Sequence, residues 1–188
     1  MTTYDPVHYW QTRGETYEAK FRAERYRDQE AALIETLEAL PTPRSVLEVG
    51  CGFGRIGALV RDLWPDARYM GLDLSPVMLA SARERLPDGE FRESALADFR
   101  PGFRRWDVVL AVEFLMHVPP GDIEAAVGRL LGLARRAVVS CDWTIPARRS
   151  PAGHNFLHDY HALYAVAGPR MVGTRDVGLQ TIFTVEPG

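Results

Sequence analysis

The chain has 188 residues, 46% hydrophobic and 25% charged, with 22 basic against 25 acidic side chains for a formal net charge of −3. A core of this size buries roughly 70% of the unfolded surface without a disulfide or metal staple, and the mild acidity argues against nucleic acid as a partner. The apolar runs are far too short to span a bilayer and residues 1–10 lack the basic end and apolar stretch of a signal peptide, so the expectation is one cytoplasmic domain over 1–188, with no membrane anchor and with Cys51 and Cys141 as free thiols.

Residues 9–40 are rich in Glu, Ala, Arg and Leu, with Ala31, Ile34, Leu37 and Leu40 at helical spacing, which predicts one or two helices. Tyr4, Tyr9, Trp10, Tyr17, Phe21 and Tyr26 make this segment unusually aromatic for an exposed helix. Pro41 and Pro43 end it. A strand follows over 45–49, then a helix over 56–63, a strand over 69–72, a helix over 76–86 and a strand over 90–93. The apolar run 107–112 is the next strand, followed by a helix over 123–134 and a strand over 137–141. Short connections between alternating strands and helices give a parallel sheet covered on both faces. Residues 144–156 read as a surface loop; a helix over 160–167 and strands over 171–176 and 180–185, turning at Gly178, complete the chain. This closing pair is expected to run antiparallel to the rest, making a mixed sheet.

The stretch from Val46 to Gly57 reads VLEVGCGFGRIG. It places an acid, Glu48, inside a buried strand and alternating glycines after it. Glycines in that turn admit a ligand close to the backbone and aim helix-start N–H groups at it. Gly52, Gly54 and Gly57 also satisfy the dinucleotide fingerprint, and Asp73 lies 21 residues after Gly52 (73 − 52), a spacing suited to a ribose-binding acid. Both readings favour a nucleoside. Glu48 separates them, because a carboxylate there would repel a pyrophosphate but attract an ammonium. S-adenosylmethionine carries an ammonium and a ribose.

In these motifs the chain resembles the class I S-adenosylmethionine-dependent methyltransferases. Glu48-Val49-Gly50-Cys51-Gly52-Phe53-Gly54 matches the family's first motif, and Gly71-Leu72-Asp73-Leu74-Ser75 its second-strand acid. The resemblance implies a Rossmann-like three-layer α/β/α sandwich with a mostly parallel seven-stranded sheet, last strand antiparallel. It implies S-adenosyl-L-methionine as cofactor, with Leu74 and Met78 against the adenine. The family's aspartate after strand three is replaced by Ser94-Ala95-Leu96, a departure. The segment from Trp106 to Val118, with Glu113, Phe114 and His117, would line the methionine and acceptor side. By the same resemblance residues 1–40 form a helical lid over a 41–188 core.

Methyl transfer needs mainly alignment of the acceptor and exclusion of water, and a base only for a protonated nucleophile. His117, His154 and His158 are the candidates for that role, with Asp159 expected to orient one of the latter two and the Arg148-Arg149 pair open to an acidic acceptor. No metal ligand set is expected. A proline pair directly after an amide or acid at the fourth strand is missing, since Pro119-Pro120 comes too late, so DNA adenine and glutamine amide acceptors lose weight. A small-molecule acceptor, methylated on oxygen or nitrogen rather than carbon or sulfur, is the reading carried forward. The rivals are a non-catalytic cofactor-binding homologue and an NAD(P)-dependent oxidoreductase.

Overall fold

The run Ser45–Val49 forms β1 and is buried at every position, as a strand covered on both faces must be. A computed structural model of the chain describes residues 4–17, 23–144 and 153–188. The other strands are β2 (Arg68–Asp73), β3 (Glu90–Glu93), β4 (Trp106–Val112), β5 (Ala134–Trp143), β6 (Arg170–Val177) and β7 (Gln180–Glu186). They form one sheet in the order β3-β2-β1-β4-β5-β7-β6. The pairs from β3 to β5 are parallel, whereas β7 is antiparallel to both β5 and β6. The mostly parallel sheet with an antiparallel last strand is as expected: β7 runs against both neighbours, because the tight turn at Gly178 (φ +61) reverses β6 onto it, while β6 itself keeps the direction of the parallel strands.

Helices α1 (Pro6–Tyr17), α2 (Ala23–Glu38), α3 (Arg55–Leu63), α4 (Pro76–Arg85), α5 (Ile123–Leu133) and α6 (Tyr160–Ala167) connect and flank the strands. One sheet face packs Leu33 and Leu37 of α2 with Ile56 and Val60 of α3. The opposite face packs Ile123, Val127 and Leu130 of α5 with Tyr160 and Tyr164 of α6. Helix α2 thus packs as a layer of the sandwich. Its inward stripe differs from the expected one. Gln29, Ala32, Leu33 and Leu37 are buried while Ala31 is exposed, because the polar Gln29 is satisfied inside by other side chains.

Strand order reverses between β1 and β4, with β2 continuing on the other side of β1. That reversal opens a crevice at the carboxyl ends of the strands, where open α/β sheets take their ligands. No helix among the described residues is long and apolar enough to cross a membrane.

Candidate active site

A cleft of about 490 Å³ lies at this reversal. Its floor is the β1–α3 bend. Gly50 (φ +73) and Gly52 (φ +52) adopt the left-handed backbone that favours glycine. A Cβ on Gly50 would come within 2.9 Å of Phe114 Cδ2, whereas one on Gly52 would meet nothing nearer than Met78 Cε at 4.0 Å. The bend is therefore packed on one side and open to a ligand on the other. Asp73, at the end of β2, fastens it: Oδ2 accepts the Gly52 N–H at 2.8 Å and Oδ1 the Ser75 N–H at 2.9 Å. The Leu74 N–H also faces the carboxylate, which still keeps acceptor capacity and lines the cleft. Burial pushes its pKa up, and the Ser75 and Gly52 N–H groups oppose that shift. Ser75 itself caps α4, its Oγ accepting the Met78 N–H.

Glu48 lies deeper, 2% exposed, yet also lines the cleft. Tyr69 Oη donates to its Oε2 at 2.5 Å. Burial raises its pKa to about 8, against the pull of that hydrogen bond, the nearby Arg55 cation and the Gly57 N–H. Gly57 must be glycine for this arrangement, since a Cβ there would sit 2.6 Å from Tyr69 Oη. Cys51 lines the cleft but its Sγ fills the space over Gly71, where a Cβ would approach it to 2.6 Å, and burial drives its thiol pKa well up. It packs and is no nucleophile.

Leu74, Met78, Ser94, Ala95, Leu96 and Glu113 all line the same cleft. The Ser94 hydroxyl donates to the Ala95 carbonyl. Gly54 does not line the cleft: at φ +81 it turns the chain into α3, with Ala82 of α4 where a Cβ would point.

Several cleft residues carry no sequence signal of their own. Arg55, in the first turn of α3, donates to Glu30 Oε1 at 3.0 Å and Gln29 Oε1 at 2.8 Å, and lies 4.5 Å over the Tyr26 ring. Gln29 in turn donates to Gln180, and Gln180 to Glu113 Oε1, each at 2.8 Å. This chain ties α2, β7 and the end of β4 to the glycine bend. Glu113 is held at φ +53, a conformation uncommon for a residue with a side chain and found where a site constrains it. Trp10, Pro6 and Val7 of α1 close the cleft from above.

The three predicted histidines separate. His117 lines the cleft in a 3-10 turn, Leu115–His117. Its Nδ1 lies 3.0 Å from the His154 carbonyl. A carbonyl only accepts, so Nδ1 carries the proton and Nε2 the lone pair; the Asn155 side chain also lies against the ring. Burial lowers its pKa to about 4, keeping the ring neutral. The His154 ring does not reach the cleft; it is stacked on Tyr9, centroids 4.5 Å apart, behind His117. His158 is also off the cleft, its Nε2 3.0 Å from Val118 O. Asp159 does not orient either ring, because its Oδ1 accepts the Ala162 N–H and caps α6. Instead the segment supports the turn from outside: the Phe156 N–H donates to Met116 O at 2.7 Å. Phe21, Lys20, Arg148 and Arg149 lie outside the described residues.

Residues 46–136 match the family model described as a methyltransferase domain. A trans-aconitate 2-methyltransferase of Variovorax paradoxus is 34% identical over 137 residues, 71% of this chain and 51% of that protein. One from Escherichia coli is 37% identical over 101 residues, 53% of this chain and 38% of that protein. The DhpI–SAH complex superposes with a TM-score of 0.80 and 25% identity over 97% of this chain and 95% of that one. Together these similarities support a class I S-adenosylmethionine-dependent methyltransferase, with residues 46–136 as its matched methyltransferase domain. Magnesium protoporphyrin IX methyltransferase ChlM from Synechocystis PCC 6803 with bound SAM, 16% identical and covering all of both chains, shares the fold at a TM-score of 0.75. The chain spans about half or less of the length of these curated relatives. S-adenosylmethionine is the family's cofactor, and the open backbone at Gly52 between two acids fits it better than a pyrophosphate.

Proposed function

We propose that this chain transfers the methyl group of S-adenosylmethionine to an oxygen or nitrogen of a compact acceptor. The observation that carries this is the convergence of Glu48 and Asp73 on one cleft, with the glycine bend locked between them by the Gly52–Asp73 hydrogen bond. In this reading Asp73 takes the ribose hydroxyls, and Glu48 the ammonium of the amino-acid end. Arg55 stands beside them for its carboxylate, and Leu74, Met78 and the Ser94–Ala95–Leu96 segment hold the adenine. Glu113 braces Arg55 directly, by an ion pair at 3.7 Å, and through the Gln180 chain. The cofactor, when bound, supplies an electrophilic methyl on a sulfonium. Alignment of an acceptor against such a group is worth about 7–11 kcal/mol.

The acceptor end of the cleft is bounded by Trp10, Phe114, His117, Val118, Pro119 and Asp122. It suits a small molecule with an apolar body and one hydroxyl or amine turned to His117. A neutral imidazole of low pKa is a weak general base; His117 accepts a hydrogen bond from the nucleophile and directs its lone pair. Helix α1 then acts as the lid that excludes water, with Trp10 over the reacting groups. The name of the curated relatives, which describes a carboxylic acid acceptor, places such acids in the first panel to try.

The test is an acceptor panel of carboxylic acids, phenols, alcohols and amines, read by formation of S-adenosylhomocysteine. Turnover with any one of them supports the reading. Tight cofactor binding with no turnover across the panel favours a cofactor-binding homologue without catalysis.

A further inference from the structure

Asp142 is the next-to-last residue of β5 and is 1% exposed. A buried carboxyl is costly unless it is hydrogen-bonded, and this one has a definite employment. Its Oδ1 accepts the Met116 N–H at 3.0 Å, and the N–H groups of Leu115 and Phe114 also face it. These are the N–H groups left without ladder partners when β4 ends and the chain coils into the 3-10 turn. The Asp142 carboxyl therefore works as a cap for the turn that carries both Phe114, packed on Gly50, and His117.

The groups around it are consistent with an uncharged cap. Glu113 on the β4 end and the hydroxyls of Tyr160 and Tyr164 on α6 face it, and no arginine or lysine among the described residues pairs with it. Burial and the Glu113 charge push its pKa well above the carboxylate range. Asp142 Oδ2 and the Tyr160 hydroxyl are both buried and have no hydrogen-bond partner among the described residues.

We propose that Asp142 is a positioning residue: by capping the Phe114–Met116 backbone from beneath, it sets the placement of His117 in the cleft. The inference rests on the methyl-transfer reading for its kinetic consequence, but not for its structural one. Asp142 does not line the cleft and touches neither cofactor nor acceptor.

The test compares Asp142→Asn with Asp142→Ala in the full chain. Asparagine keeps the Oδ1 acceptor and the shape of an uncharged carboxyl, so turnover and the ¹⁵N signals of the His117 ring stay as in the unsubstituted protein. Alanine removes the cap: kcat falls by about tenfold or more while S-adenosylhomocysteine affinity stays within about threefold, and the His117 signals shift. An Ala variant with unchanged kcat and His117 signals overturns the proposal, as does one that loses cofactor affinity and kcat in equal measure. If the Ala variant does not fold, the Asn variant decides, since loss of its turnover or a moved His117 signal contradicts an uncharged cap. If the unsubstituted protein binds cofactor but methylates nothing, the functional reading fails on its own, and the His117 signals still test the cap.

Discussion

Asp73 Oδ2 accepts the Gly52 N–H at 2.8 Å, joining the end of β2 to the apex of the glycine bend that follows β1. One carboxylate thus shapes the bend and faces the cleft. Replacing Asp73 by alanine removes both functions, and a charge-assisted hydrogen bond contributes about 1.5–3 kcal/mol. Calorimetry with S-adenosylhomocysteine should show affinity falling by about a hundredfold for Asp73→Ala. Asp73→Asn, which keeps one acceptor oxygen, should lose less. An alanine variant that binds within threefold would remove Asp73 from the site.

Glu48 gives the binding a pH dependence of known sign. Its pKa in the free protein is raised to about 8, and a cofactor ammonium beside it favours the ionised form. Below that pH a proton must leave on binding, so affinity should rise between pH 6.5 and 8 by up to about tenfold per unit and level off above. Proton release shows as an enthalpy that depends on the buffer. Glu48→Gln should flatten the profile. The free protein responds oppositely: an unfolded carboxyl ionises near 4.5, so the Glu48 contribution to stability falls as pH rises from there through 8. His117, lowered to about 4 from 6.5, costs stability as pH falls below 6.5; above it the buried Asp142 carboxyl, also raised, adds to the Glu48 trend in stability, so the cofactor-binding profile of Glu48→Gln is what isolates Glu48.

Gly57 is a structural prediction about the same acid. Gly57→Ala sets a methyl 2.6 Å from Tyr69 Oη and from Leu86 Cδ1. Overpacking of this kind typically costs 1–3 kcal/mol, and here it also displaces the hydroxyl that bonds Glu48. Melting temperature and cofactor affinity should both drop. An unchanged pair of values would contradict the packing described.

His117 and the lid can be separated. His117→Ala should lower kcat with little change in cofactor affinity, while Trp10→Ala should raise KM for the acceptor and expose α1. Proteolysis within residues 1–27 should slow when cofactor is added; equal cleavage rates would argue that α1 does not close over the site.

Much of this was legible in the sequence because the signals are local. Glu48, Gly50, Gly52 and Asp73 sit at fixed distances along one strand–turn–helix–strand unit, and the core strands are apolar runs bounded by glycine, proline or charge. β5 starts three residues before its expected limit, because the exposed Arg135 and Arg136 conceal the strand within what looks like a helix end. The long-range pieces were not legible. Gln29 joins the buried stripe of α2 because Arg55 and Gln180 receive it, and no local pattern encodes a partner 151 residues away. His154 and His158 carried the chemistry of a base, but their carbonyl and ring contacts make them supports for the turn holding His117.

The most direct measurement is a crystal structure of the chain with S-adenosylhomocysteine. The account requires the ribose hydroxyls within hydrogen-bonding distance of Asp73 and the amino group turned toward Glu48 above the glycine bend. A nucleoside seated elsewhere, or the bend occupied by a phosphate group, would contradict it.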